Sequence, residues 1–113
     1  MKNISYEELF DAIKKRVDER PDFVYPAGDC KYQKDGEPSC LIGCALFDLG
    51  VPISNLSRLD QHNNNTGKAA EFINNFDIPD FRFEQRALAL AGRVQSNQDS
   101  RYSWREALRD AIY

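Results

Sequence analysis

An all-α fold, a bundle of about five to six helices around one buried central helix, is the class this sequence predicts, and three observations predict it. The first is the almost unbroken apolar run from Cys40 to Leu49, closed by Gly50 and Pro52, which is too long for a typical buried strand and reads as a helix. The second is the recurrence of apolar residues three and four apart in the segments on either side, the signature of amphipathic helices lying on a core. The third is a pair of Ser-x-x-Glu capping boxes, Ser5 with Glu8 and Ser103 with Glu106, each just ahead of such a stripe.

Taken in order, Ser5 starts a helix whose inner face is Tyr6, Leu9, Phe10, Ile13 and Val17, with Ile4 and Leu9 as a hydrophobic staple and Pro21 marking the end. Residues 22–36 carry loop signals, Pro26, Gly28 and the Asp35-Gly36 pair, and Lys31 to Lys34 suit one arm of a short hairpin before the central helix. Pro38 suits the first turn of that helix, where its missing N–H costs nothing. Gly50 provides a left-handed residue at its end, Val51 covers the last turn and Pro52 stops it. Ser54 is expected to cap a short helix holding Leu56 and Leu59, and Asp60 to Asn65 form a polar loop. Thr66 then caps a helix with Ala69, Phe72, Ile73 and Phe76 inward. Asp80 opens a longer one with Phe83, Ala87, Leu90, Ala91 and Val94 inward, ending near Gln98. Trp104, Ala107, Leu108, Ala111 and Ile112 form the last apolar face. No linker or repeat interrupts residues 1–113, so one domain is expected.

With 113 residues, 42% hydrophobic and 29% charged, the chain has the make-up of an ordinary folded domain and is too apolar for a disordered one. A net charge of −3 argues against a general nucleic-acid binder. Six arginines crowd the last third (Arg82, Arg86, Arg93, Arg101, Arg105 and Arg109), but Asp80, Glu84, Asp99, Glu106 and Asp110 are threaded among them, which favours a solvated helix surface over a basic stripe. Met1 to Phe10 lacks the pattern of a signal peptide, and no segment approaches the roughly 20 apolar residues of a membrane span, so a cytoplasmic setting is expected. There the three cysteines need form no bridge.

Two phrases of the sequence carry a resemblance. The first runs Cys30-Lys31-Tyr32, Asp35-Gly36, Pro38-Ser39-Cys40-Leu41-Ile42-Gly43-Cys44-Ala45-Leu46 and Leu49-Gly50-Val51; the second is Gln95, Gln98-Asp99, Trp104 and Ala107. Together they resemble small uncharacterised proteins of actinobacteria and their bacteriophages, in which His often stands where this chain has Cys44. The resemblance implies an origin and no activity.

Two chemistries deserve weighing. Cys40 and Cys44, four apart on a helix, share a face; with Cys30 from the loop and His62 they would make a Cys3His set suited to zinc. The spacing matches no common zinc pattern, and buried cysteines usually pack as small hydrophobes, so core roles for Cys40 and Cys44 are the stronger expectation. Cys40 near a helix start also has the placement of a cysteine nucleophile, but His62, the only histidine, lies beyond the far end of that helix. Thr66-Gly67-Lys68 lacks the preceding glycine of a phosphate loop, and Gly43 reads as a point of close approach by another helix.

The expected role is therefore a protein-interaction module acting on a host or self partner. Tyr25, Tyr32, Arg82, Arg86 and Tyr113 are the contact candidates, chosen as amphipathic or arginine positions expected to stay exposed. Trp104 is expected in the core. A zinc or cysteine hydrolase centred on Cys30, Cys40, Cys44 and His62, and a weak nucleic-acid binder using the C-terminal arginines, are the alternatives.

Overall fold

A computed structural model describes residues 2–25, 32–58, 78 and 80–112 of the chain. Their order is β1 (Lys2–Ile4), α1 (Tyr6–Glu19), β2 (Gln33–Lys34), β3 (Glu37–Pro38), α2 (Leu41–Asp48), the helical residues 53–58 (α3), β4 (Phe81–Phe83), α4 (Gln85–Asp99) and α5 (Trp104–Ile112). The expected helix carrying Ala69, Phe72, Ile73 and Phe76, the asparagine loop, Leu59, Cys30, His62 and Tyr113 lie outside the described residues.

The all-α expectation is overturned by two small sheets. In one, β1 and β4 pair in parallel with Lys2 opposite Phe81, Asn3 opposite Arg82 and Ile4 opposite Phe83. In the other, β2 and β3 form an antiparallel hairpin. Phe81 and Phe83, both expected within the helix that Asp80 opens and Phe83 on its inner face, instead flank Arg82 in an apolar-polar-apolar strand, and α4 begins only after Glu84. Alternation over three residues is too short to outweigh a helical stripe that begins within a few positions of it. The partner strand lies almost eighty residues away in sequence, so local pattern holds no trace of the pairing.

The hairpin closes through Asp35 (φ 55°) and Gly36 (φ 81°), two consecutive left-handed residues of the kind a two-residue turn requires. Pro38 belongs to β3 and not to the helix: Cys40 is the N-cap of α2, and its Sγ accepts from the Gly43 N–H at 3.3 Å. From Leu41 to Leu46 every residue of α2 is buried, which accounts for the run's apolar character all round. Its end follows expectation. Gly50 has φ 103°, its N–H donates to Phe47 O, and the Val51 N–H reaches Leu46 O at 3.0 Å, the paired bonds of a Schellman motif.

Helix α1 packs against α2, α4 and α5, and α4 also covers α2 and α5. Leu9, Ile13 and Val17 face this core, and Arg16 at its margin clasps Asp48 of α2 with two bonds of 2.6 and 2.7 Å. Both capping boxes form as expected, and Ser103 holds the Glu106 carboxyl below the usual carboxylate range. One buried cluster runs from Ile4 to Ala111 and includes Trp104, whose ring meets Phe23 edge-on at 5.0 Å.

Helix α4 ends in the same bonding pattern as α2, with Arg101 N–H on Gln98 O and Tyr102 N–H on Asn97 O, but Arg101 occupies the left-handed position at φ 70°. A side chain there costs about 1 kcal/mol that glycine avoids. Arg101→Gly is accordingly expected to raise stability by about 1 kcal/mol in a urea titration. An unchanged or lower midpoint would mean that the arginine side chain repays its strain within the chain.

Candidate functional site

Strands β1 and β4 each lead straight into a helix: Ile4 is followed by the cap Ser5 and α1, and Phe83 by Glu84 and α4. Because the strands are parallel, their carboxyl ends and both helix N-termini come together at one edge. This is the arrangement that places ligands outside strand ends in open α/β sheets. A crevice of about 300 Å³ lies there, lined by Asn3, Ile4, Ser5, Glu8, Arg82, Phe83 and Glu84.

The charges in and around it divide sharply. Glu8 accepts from Ser5 N–H, and Glu84 reaches across to accept from Tyr6 N–H, each at 3.2 Å, so both carboxylates serve the start of α1. There the positive end of the helix offsets part of their charge. Arg82 is exposed, and its side chain forms no hydrogen bond or ion pair among the described residues. Arg86 is exposed too, its guanidinium 4.6 Å over the ring of Tyr6, which in turn stacks on Phe10. Helix α4 has no acidic residue in its first turn and no side-chain cap. Arg82 and Arg86 are thus cations without a carboxylate partner among the described residues, beside the two carboxylates of the crevice.

The other contact candidates fare differently. Tyr25 and Tyr32, expected at the surface, are 5% and 1% exposed. The Tyr25 hydroxyl shares a 2.6 Å hydrogen bond with Ser39 Oγ, and Tyr32 lies under α2. Both rings carry enough apolar area to be drawn into the core that forms around α2. Tyr102, not among the candidates, is the tyrosine left exposed among the described residues, at 38%. Of the C-terminal arginines offered for nucleic acid, Arg93 donates to Ala111 O at 2.8 Å, Arg105 pairs with Asp22, and Arg109 pairs with Glu106 and Asp110. A continuous basic stripe does not survive that much internal pairing.

Cys40 and Cys44 are buried. The Cys40 thiol donates to Gln95 Oε1 at 3.5 Å while its sulfur caps α2. Cys44 Sγ donates to Ser39 O at 3.7 Å, and burial pushes its pKa up against the opposing pull of Arg16. Such a thiol stays protonated, the form that neither attacks nor ligates well. No group of three or more His, Cys, Asp or Glu is placed to hold a metal among the described residues. No helix there is long and apolar enough to cross a membrane.

What the composition did not disclose is a buried polar network joining the two phrases of the sequence. Gln98 Oε1 accepts from Leu41 N–H at 2.8 Å, and both Gln95 and Gln98 donate to Asp99 Oδ1 at 3.2 Å. Both glutamines are 1% exposed. The available signal was positional: Ala87, Ala91 and Val94 set a stripe on which Gln98 falls next, and a glutamine on an apolar stripe announces a buried hydrogen-bonding task.

Neither a protein-family model, nor a curated protein, nor a solved structure matches this chain.

Proposed function

We infer that the protein is an interaction module, without chemistry of its own, that docks an acidic segment of a protein partner at the crevice beside Arg82 and Arg86. The observation that carries the reading is positive charge without a carboxylate partner among the described residues: Arg82, which makes no ion pair there, Arg86 held over the ring of Tyr6, and an α4 whose first turn beyond its cap bears no acidic residue. Half-buried Tyr6, Phe10 and Phe83 offer apolar area beside the charge, the mix of aromatic and arginine that interfaces favour. If the chain is phage-encoded, as its resemblance implies, the acidic partner is a host protein.

The test is fluorescence anisotropy with a labelled peptide rich in Asp and Glu and a neutral peptide of equal length. The acidic peptide is expected to bind with an affinity that falls as salt rises, and Arg82→Glu with Arg86→Glu to weaken it about tenfold or more. Equal binding of both peptides, or an unchanged affinity in the double variant, would refute the reading.

A further inference from the structure

We propose that Glu84 is a specificity-determining residue of this crevice, a resident carboxylate against whose charge an incoming acidic group is weighed. The inference rests on the proposed docking of an acidic segment and names what limits it.

Glu84 stands two residues after Arg82 and two before Arg86, at the N-cap of α4, yet gives that helix no side-chain hydrogen bond. Its side chain crosses instead to α1 and accepts from Tyr6 N–H at 3.2 Å. Tyr6 is also the residue whose ring carries the Arg86 guanidinium. One carboxylate therefore ties the two strand-to-helix junctions together in the midst of the cations a partner would use. Its negative charge is not what α1 requires, since Ser5 and Glu8 already form a complete capping box and Glu7 adds a second acid to the first turn. The tie needs only an acceptor oxygen. The charge is surplus to the fold and, because Glu84 lines the same crevice as Arg82, repels an acidic group that enters there.

Glu84→Gln separates the two, keeping an oxygen for Tyr6 N–H and removing the charge. In the same anisotropy titration it is expected to bind the acidic peptide about fivefold more tightly than the parent at low salt, with the gain shrinking at high salt and the neutral peptide unaffected. Its melting temperature should stay close to the parent's, which excludes a folding defect as the cause of any change. Loss of binding in Arg82→Glu together with unchanged or weaker binding in Glu84→Gln would overturn this inference and leave the docking site standing. Arg82→Glu binding as the parent does would overturn the docking site, and this inference with it.

Discussion

Replacing Gly43 with alanine is expected to destabilise the protein by about 3 kcal/mol, lowering the melting temperature by roughly 10 °C. On an exposed helix the same change stabilises, because alanine has the higher helix propensity by up to about 1 kcal/mol. Here the sign reverses. A Cβ on Gly43 would fall on the carbonyl oxygen of Tyr32, with Tyr32 C and Cα each 2.9 Å away. The atoms in the way are backbone, and they are not free to retreat: the Tyr32 carbonyl accepts from Ser39 N–H at 3.0 Å, and the Tyr32 side chain is buried. The hairpin and α2 would have to separate, uncovering Leu41, Ile42 and Tyr32. Denaturant unfolding of Gly43→Ala checks this, and a midpoint equal to or above the parent's would show that the loop yields at little cost.

Gln98→Leu is expected to cost about 2 kcal/mol although it replaces a polar core side chain with an apolar one of similar volume. Leucine would fill the space and gain apolar burial. It would also strand the Leu41 N–H, which at the first turn of α2 has no carbonyl of its own helix to bond and is answered by Gln98 Oε1 at 2.8 Å. A buried donor without an acceptor loses its full desolvation energy, and that outweighs the apolar gain. Gln95→Leu should cost less, because the donor that its oxygen answers is the weak thiol of Cys40 and the Asp99 carboxylate it donates to keeps the Gln98 amide. Urea titrations of the two variants, with hydrogen exchange at the Leu41 amide, test the ranking. Equal losses would overturn the ranking, and a Gln98→Leu variant more stable than the parent would show that the network contributes no stability.

These two sites mark where local reading of the chain stopped. Gly43 looked like a contact point for a second helix, and the close approach is real, but the neighbour is the backbone at Tyr32. An absent Cβ records that something comes near without saying what. The candidate site divides the same way. Arg82 and Arg86 stay at the surface because a guanidinium is costly to bury without a partner, whatever the fold. Tyr25 and Tyr32 carry both apolar and polar surface, so their composition allows either location, and the collapse of the hairpin onto α2 took them inside. Cys40 was legible as a buried residue of the α2 region; that its sulfur would serve as the N-cap, displacing Pro38 into a strand, was not.

The sequence by itself determined what short-range physics controls. The Ser5 and Ser103 capping boxes, the Asp35-Gly36 turn, the Gly50 stop and the burial of the Cys40 to Leu46 run each depend on residues within one or two helical turns of one another. Only the tertiary structure decided that Lys2–Ile4 would lie parallel to Phe81–Phe83, that Gln98 would answer the start of α2, and that a crevice would open where two helices begin. Those features join segments more than fifty residues apart. Hydrogen-bonding groups at such separations find partners only after the core has brought their backbones together, so no local pattern of residue types encodes the match.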